Sequence, residues 1–197
     1  MQSGIELRAP EQYLSARDTN LAGVITAQLA FWPSKPTEDP IWGLIRIVMA
    51  QQVSTHVACQ LAERAIAAHP HLMAPSSALV PDPSALRAIG LSECRAQCCA
   101  NIVLRSDEIL DKVRQGQAWS EAIAGIKGIG PWTIAVFRIM VLREPDVLPL
   151  GDVGLERAIT NVYGEGHDVE KLAENWRPFR SVACWYLWRT LGNKQLG

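Results

Sequence analysis

The sequence lacks a dominant sign of charge. Its 197 residues carry 19 Lys and Arg against 20 Asp and Glu, a formal net charge of −1. That excludes a polycationic tail but leaves room for a local basic patch. No run approaches the ~18 consecutive apolar residues of a membrane span. The opening MQSGIELRAPEQYL lacks the apolar run of a secretory leader. There is no internal repeat and no low-complexity segment. Convincing strand alternation is missing too, with Ile5–Leu7 the one candidate. The five cysteines are Cys59, Cys94, Cys98, Cys99 and Cys184, an odd number in a chain too large to need disulfide staples. None forms a CxxC pair, and His69 and His71 lie well upstream of the cluster. Cys94, Cys98 and Cys99 therefore read as helix positions rather than zinc ligands. Taken together, these absences lead to an expected reducing, cytoplasmic setting with no membrane contact.

What remains is a globular composition, 48% hydrophobic and 20% charged, which excludes disorder. A chain of this length buries roughly 70% of its unfolded surface and can hold a true core. Apolar residues at Ile41, Leu44, Ile45, Val48 and Met49 recur at helical spacing, and Asp39-Pro40 is a helix start. The helical region runs from Ile41 to Ala68. Further helices are expected at Ser84–Ile89, from Ser92 to near Gly116, and over Ser120–Ala124. The rest are expected at Pro131–Arg143, Val153–Tyr163, Val169–Asn175 and Pro178–Thr190. Residues 74–83 read as a loop, and Pro145–Asp152 as a break. Helices joined by short loops predict an all-α bundle.

The most informative segment is SEAIAGIKGIGPWTIAVFRIMVL, residues 120–142. Gly128 and Gly130 flank Ile129 and permit a tight turn, and Pro131 opens the next helix at once. Ile129 is expected to point inward and pin the turn. Amides around Gly128–Thr133 would then face outward at a helix N-terminus, which suits a phosphate oxygen. The plainer reading is a glycine turn between packed helices. Downstream, Asp152 stands in LPLGDVGL, bounded by Pro149, Gly151 and Gly154. A carboxylate there either caps the following helix or projects toward whatever the hairpin holds.

The hairpin followed by such an aspartate resembles the helix-hairpin-helix superfamily of DNA base-excision glycosylases. Three further segments match in order. Met49-Ala50-Gln51-Gln52-Val53-Ser54 resembles the family's Gln-Gln-aliphatic-Ser segment. Gly90-Leu91-Ser92 with Arg95-Ala96 resembles its Gly-Leu-Ser helix start. Pro178–Ala183 with Trp185–Arg189 resembles the last helix of the 3-methyladenine DNA glycosylase II branch. The matches span about residues 39–192.

The resemblance implies a two-lobed helical fold with a central cleft. One lobe would cover about 36–150 and contain the hairpin at 120–142. The other would join 1–35 to 151–197. Longer members of the branch carry an extra N-terminal β-rich domain, and about 40 residues precede the first match here, so the core alone is expected. Bifunctional members place a nucleophilic lysine where Trp132 stands, so the resemblance implies a monofunctional enzyme that uses water. Iron–sulfur members carry four cysteines beyond the catalytic loop, where this sequence has Cys184 alone, so no cluster is expected.

Asp152 would be the catalytic carboxylate. Trp132 and Trp188 fall at the family's base-pocket positions, and Trp42, Phe137 and Tyr186 are further candidates. Electron-rich rings suit a cationic alkylated purine. Val136 stands where the family often has an aromatic. Gly128, Ile129, Gly130, Trp132 and Thr133 would grip the DNA backbone. Gln51 and Gln52 are also DNA-contact candidates, and Gln52 falls at the position that plugs the duplex after base flipping. The hairpin carbonyls admit a monovalent cation, and no other cofactor is implied. Arg46, His56 and Arg95 are unranked phosphate candidates. The expected partner is damaged double-stranded DNA, bound by a monomer that associates with the nucleoid. Competing readings are a glycosylase for uracil, mismatched or oxidised bases, and a non-catalytic DNA-binding module on the same hairpin.

Overall fold

A computed structural model describes residues 8–28, 30–36 and 38–192. The strand candidate Ile5–Leu7 lies outside them. The described chain is all-α, and it divides into two compact units: residues 1–35 with 143–197, and residues 36–142. No helix among the described residues is long and apolar enough to cross a membrane.

The 36–142 unit begins with α3 (Pro40–Ala50), capped by the Asp39 carboxylate, which accepts from Ile41 N and Trp42 N at 2.9 and 3.0 Å. Eight of its residues are buried, and Arg46 faces outward to Glu38 at 2.8 Å. A helix this apolar on most of its circumference is central to its unit. It packs against α4 (Thr55–Ala68), α6 (Glu93–Leu104) and α9 (Pro131–Met140). At Gly43 a Cβ would lie 2.7 Å from Val141, so the bare backbone permits that close approach. The unit is completed by α5 (Pro83–Ala88), α7 (Ser106–Arg114) and α8 (Trp119–Ala122).

Two expected single helices are each divided in the structure. The 41–68 region breaks at Gln51–Ser54, where Gln52 has φ +57°. The 92–116 helix breaks at Arg105. Cys98 and Cys99 are buried positions on α6, and burial pushes the Cys98 thiol up to about 11.

The other unit contains α1 (Ala9–Arg17), α2 (Thr19–Thr26), α10 (Val153–Tyr163), α11 (Val169–Glu174) and α12 (Arg180–Thr190). The first two have no counterpart in the sequence reading. Every residue of α12 from Ser181 to Trp188 is buried. It is the core helix of this unit and packs against α1, α2 and α10. Asp18 ties the N-terminal helices to the rest. It caps α2 through Leu21 N and accepts from Tyr163 Oη at 2.7 Å and Trp176 Nε1 at 2.9 Å.

Candidate functional site

The hairpin lies wholly in the 36–142 unit. Helix α8 ends at Ala122, and the chain turns through Gly125 and Gly128, with φ +79° and +100°. Ile129 N donates to Ile126 O at 3.0 Å, closing the turn. Ile123 and Ile126 are buried and anchor it, while Ile129 is half-buried against the same core. The pinning expected of Ile129 is thus shared, with the deeper burial at its neighbours. Gly130 is the N-cap of α9 and offers no side chain to cap it, and Pro131 has no N–H. The first turn of α9 presents backbone donors of the kind that receive a phosphate oxygen. A Cβ at Gly128 would meet Cys98 Sγ at 2.8 Å. The hairpin therefore rests directly on α6, a contact for which the sequence carries no signal beyond the glycine.

Gln51 turns inward. Its Nε2 donates to Gly128 O at 3.1 Å and to Thr133 Oγ1 at 2.9 Å, so it braces the hairpin. Arg95, from the first turn of α6, donates to Met49 O at 2.9 Å and Gln51 O at 3.3 Å. Gln52, exposed and left-handed, stands at the tip of this braced loop. Of the three unranked cations, Arg46 engages Glu38, His56 lies 3.1 Å from Gln60 Nε2, and Arg95 serves the loop.

Asp152 lies in the other unit. It is the N-cap of α10, and its Oδ1 accepts from Leu155 N at 2.5 Å. The same oxygen accepts from Trp188 Nε1 at 2.9 Å. The helix cap weighed from sequence is therefore real, and the Trp188 indole holds the same oxygen. The loop leading to it is tethered to α12. Val147 N donates to Ser181 Oγ at 2.9 Å, and Ser181 N to Pro145 O at 3.0 Å. Ser181 and Trp188 are seven residues apart, two helical turns, so one face of α12 holds both ends of the loop. Arg180 and Arg177 reinforce the start through Asp146, at 2.6 and 3.0 Å. Cys184 is buried nearby, and burial followed by the Asp152 charge pushes its thiol above the usual range. Asp152 is 9% exposed, whereas Leu150 and Val153 beside it are 52% and 76% exposed. The carboxylate is thus recessed, while its apolar neighbours along the chain stand out.

The aromatic candidates divide. Trp132 is half-buried on the first turn of α9. Trp188 has 5% of its surface exposed, and its edge is committed to Asp152. Trp42 is 4% exposed within the core of its unit. Two expectations are corrected. Phe137 has no exposed surface and stacks at a tilt on Trp119, 5.5 Å between centroids. Tyr186 lies in the core of the other unit, its hydroxyl 3.0 Å from Ala30 O and 3.2 Å from Glu11 Oε1. Neither presents a face to a ligand, because each ring fills a helix-packing interior.

No protein-family model matches the chain. It is 23% identical over 206 residues to the alkylbase DNA glycosidase-like protein mag2 of Schizosaccharomyces pombe, with 96% of each chain covered. It is 27% identical over 203 residues to DNA-3-methyladenine glycosylase 1 of the same organism, covering 93% of this chain and 87% of that one. Among solved structures, the Schizosaccharomyces pombe 3-methyladenine DNA glycosylase Mag1, in complex with abasic DNA, superposes with a TM-score of 0.79. The identity there is 25%, with 94% of this chain and 97% of that one covered.

Proposed function

We infer that this chain, a helix-hairpin-helix DNA glycosylase of the 3-methyladenine DNA glycosylase II branch, excises alkylated purines from damaged DNA. The observation that carries the chemistry is Asp152, recessed at the start of α10 with its carboxylate held by Leu155 N and Trp188 Nε1. A carboxylate fixed in this way needs no reorganisation when positive charge develops beside it.

A purine alkylated at N3 or N7 carries positive charge, so its bond to C1′ is already weak. Flipping the nucleotide from the stack costs a few kcal/mol. As the C1′–N9 bond breaks, its electron pair leaves with the base and neutralises it. Asp152 stabilises the cation growing on the sugar and orients the water whose oxygen bonds to C1′. The water proton passes to the carboxylate or to solvent. The products are free base and an abasic site. Trp132 supplies no amine for a Schiff base, so the strand stays intact.

We assign Trp132, half-buried on the first turn of α9, as the ring that stacks on the cationic base, worth ~0.5–2 kcal/mol. Trp188 acts mainly through Asp152. The hairpin grips phosphates without reading sequence, and Gln52 fills the vacated stack. Carbonyls of Ile126, Gly128 and Gly130 already accept bonds from Ile129 N, Gln51 Nε2 and Ile134 N. Each keeps a second lone pair, which fits a monovalent cation shared with these bonds, and no step of the reaction passes through it. We place the enzyme in the compartment that holds the genome, acting as a monomer.

The test is release of free methylated bases from alkylated duplex, with strand breaks appearing only after alkali. A folded wild type that binds duplex but releases no base would leave the non-catalytic DNA-binding module.

A further inference from the structure

Gln52 adopts a backbone conformation that side-chain-bearing residues rarely hold, φ +57°, on an exposed loop. Such a conformation persists only where its surroundings over-determine it. Here the surroundings are specific. The residue before it is fixed three ways: Gln51 N donates to Val48 O at 3.3 Å, Gln51 O accepts from Arg95, and Gln51 Nε2 bridges Gly128 O and Thr133 Oγ1. The residues after it lead into Ser54, which caps α4 through Val57 N at 3.4 Å. Thr133 is 2% exposed, so its hydroxyl is an internal acceptor rather than a surface one.

We propose that Gln51 is a positioning residue that locks the loop presenting Gln52 to the hairpin, making the two one rigid probe. This rests on the function proposed above. A loop free to relax would let Gln52 leave its left-handed conformation and retract. A loop tied to Gly128 and Thr133 keeps it projecting at a fixed offset from the phosphate-gripping turn. Docking the hairpin on the backbone then places Gln52 against the base stack without further ordering. Gln51 itself need not touch DNA.

The experiment compares wild type with Gln51→Ala, Gln51→Glu and Thr133→Val. The probe is a duplex carrying 7-methylguanine with 2-aminopurine as its neighbour. Fluorescence of 2-aminopurine reports unstacking, single-turnover kinetics report base release, and an undamaged duplex of equal length reports backbone binding. Gln51→Ala removes two internal hydrogen bonds, so the 2-aminopurine rise and the single-turnover rate fall about tenfold. Gln51→Glu keeps the shape but turns an acceptor toward Gly128 O, and falls at least as far. Thr133→Val removes one acceptor at similar volume and falls about threefold, which keeps the test available should Gln51→Ala fold poorly. Affinity for undamaged duplex stays within twofold in both Gln51 variants, whose side chain is spent inside the protein on Gly128 O and Thr133 Oγ1.

A parallel loss of undamaged-duplex affinity would overturn the proposal, because Gln51 would then be part of the backbone grip. Unchanged unstacking and release in both Gln51 variants would overturn it as well. A wild type that neither unstacks nor releases any base would sink the proposed function and this inference together. A working wild type with normal variants sinks this inference alone.

Discussion

Replacing Asp152 separates the helix cap it forms from the catalytic role proposed for it, because the two depend on different properties of the side chain. Asp152→Ala removes the acceptor of Leu155 N, worth about 1 kcal/mol as a helix cap. It also leaves the Trp188 N–H, buried with its ring, without an acceptor, at about 1–3 kcal/mol. The sum, about 2–4 kcal/mol, lowers Tm by about 5–15 °C at the 2–4 °C per kcal/mol expected for this size. Asp152→Asn keeps a carbonyl oxygen where Oδ1 stood, and that one oxygen takes both bonds. As an N-cap Asn equals Asp, so the bonds from Leu155 N and Trp188 Nε1 survive the substitution and Asn costs less stability than Ala. What Asn lacks is charge. Losing a preorganised electrostatic contact slows chemistry by about 10²–10³-fold. The assay pairs single-turnover release of 7-methylguanine with thermal melting of each variant. Release by Asp152→Asn within threefold of wild type would refute the charge argument. Equal destabilisation by Asn and Ala would refute the cap geometry.

Gly128→Ala should lose about 2–4 kcal/mol in thermal melts, since φ is +100° and the new Cβ would lie 2.8 Å from Cys98 Sγ. Adding Cys98→Ala should recover only part of this, because the backbone strain and the 3.0 Å contact to the Cys98 Cβ remain. Duplex binding should weaken about tenfold between 50 and 200 mM salt for two neutralised phosphates, and salt-independent binding would count against the hairpin footprint. Asp146 is raised by burial, but the Arg180 hydrogen bond and charge, followed by Arg177, outweigh that and hold it below its usual value. A depressed folded pKa stabilises the fold above the unfolded carboxylate range and loses that contribution as pH falls through the folded value. The stability gap between wild type and Asp146→Asn in urea should therefore be level from about pH 7 to 5 and close below about pH 4.

The hairpin and Asp152 were legible because local chemistry marks them. Two glycines, a following proline and a Pro- and Gly-bounded acid each restrict the backbone by themselves. The break at Gln51–Ser54 was not legible. Apolar spacing runs through it, no glycine marks the left-handed residue, and the conformation is imposed by Arg95 and the hairpin, both distant in sequence. Arg105 interrupts its helix with equally little local sign. The sorting of the aromatics was not legible for a related reason. Helix α12 is buried from Ser181 to Trp188, so no periodicity distinguishes a ring facing a ligand from one filling the core. Tyr186 and Trp188 are two residues apart, yet one bonds within the core and the other grips Asp152.

Asp18 provides an internal control for Asp152. Both are helix N-caps, both are 9% exposed, and both accept from a tryptophan Nε1 at 2.9 Å. The difference lies in how the oxygens are used. Asp18 takes Leu21 N on Oδ1, with Tyr163 Oη and Trp176 Nε1 on Oδ2, whereas the amide and indole at Asp152 share Oδ1. In Asp18→Asn one oxygen becomes NH2. Placed at Oδ2 it opposes the Trp176 N–H, and flipped to Oδ1 it opposes the Leu21 N–H. Either way a buried donor loses its acceptor, at about 1–3 kcal/mol. The same substitution thus has opposite consequences at two similar caps. At Asp18 it lowers stability while base release per folded molecule stays within threefold. At Asp152 it keeps the bonds from Leu155 N and Trp188 Nε1 and slows release by about 10²–10³-fold. Urea denaturation and single-turnover release on both variants decide it. A slow but stable Asp18→Asn enzyme would mean that recess and cap geometry alone do not mark the reactive carboxylate.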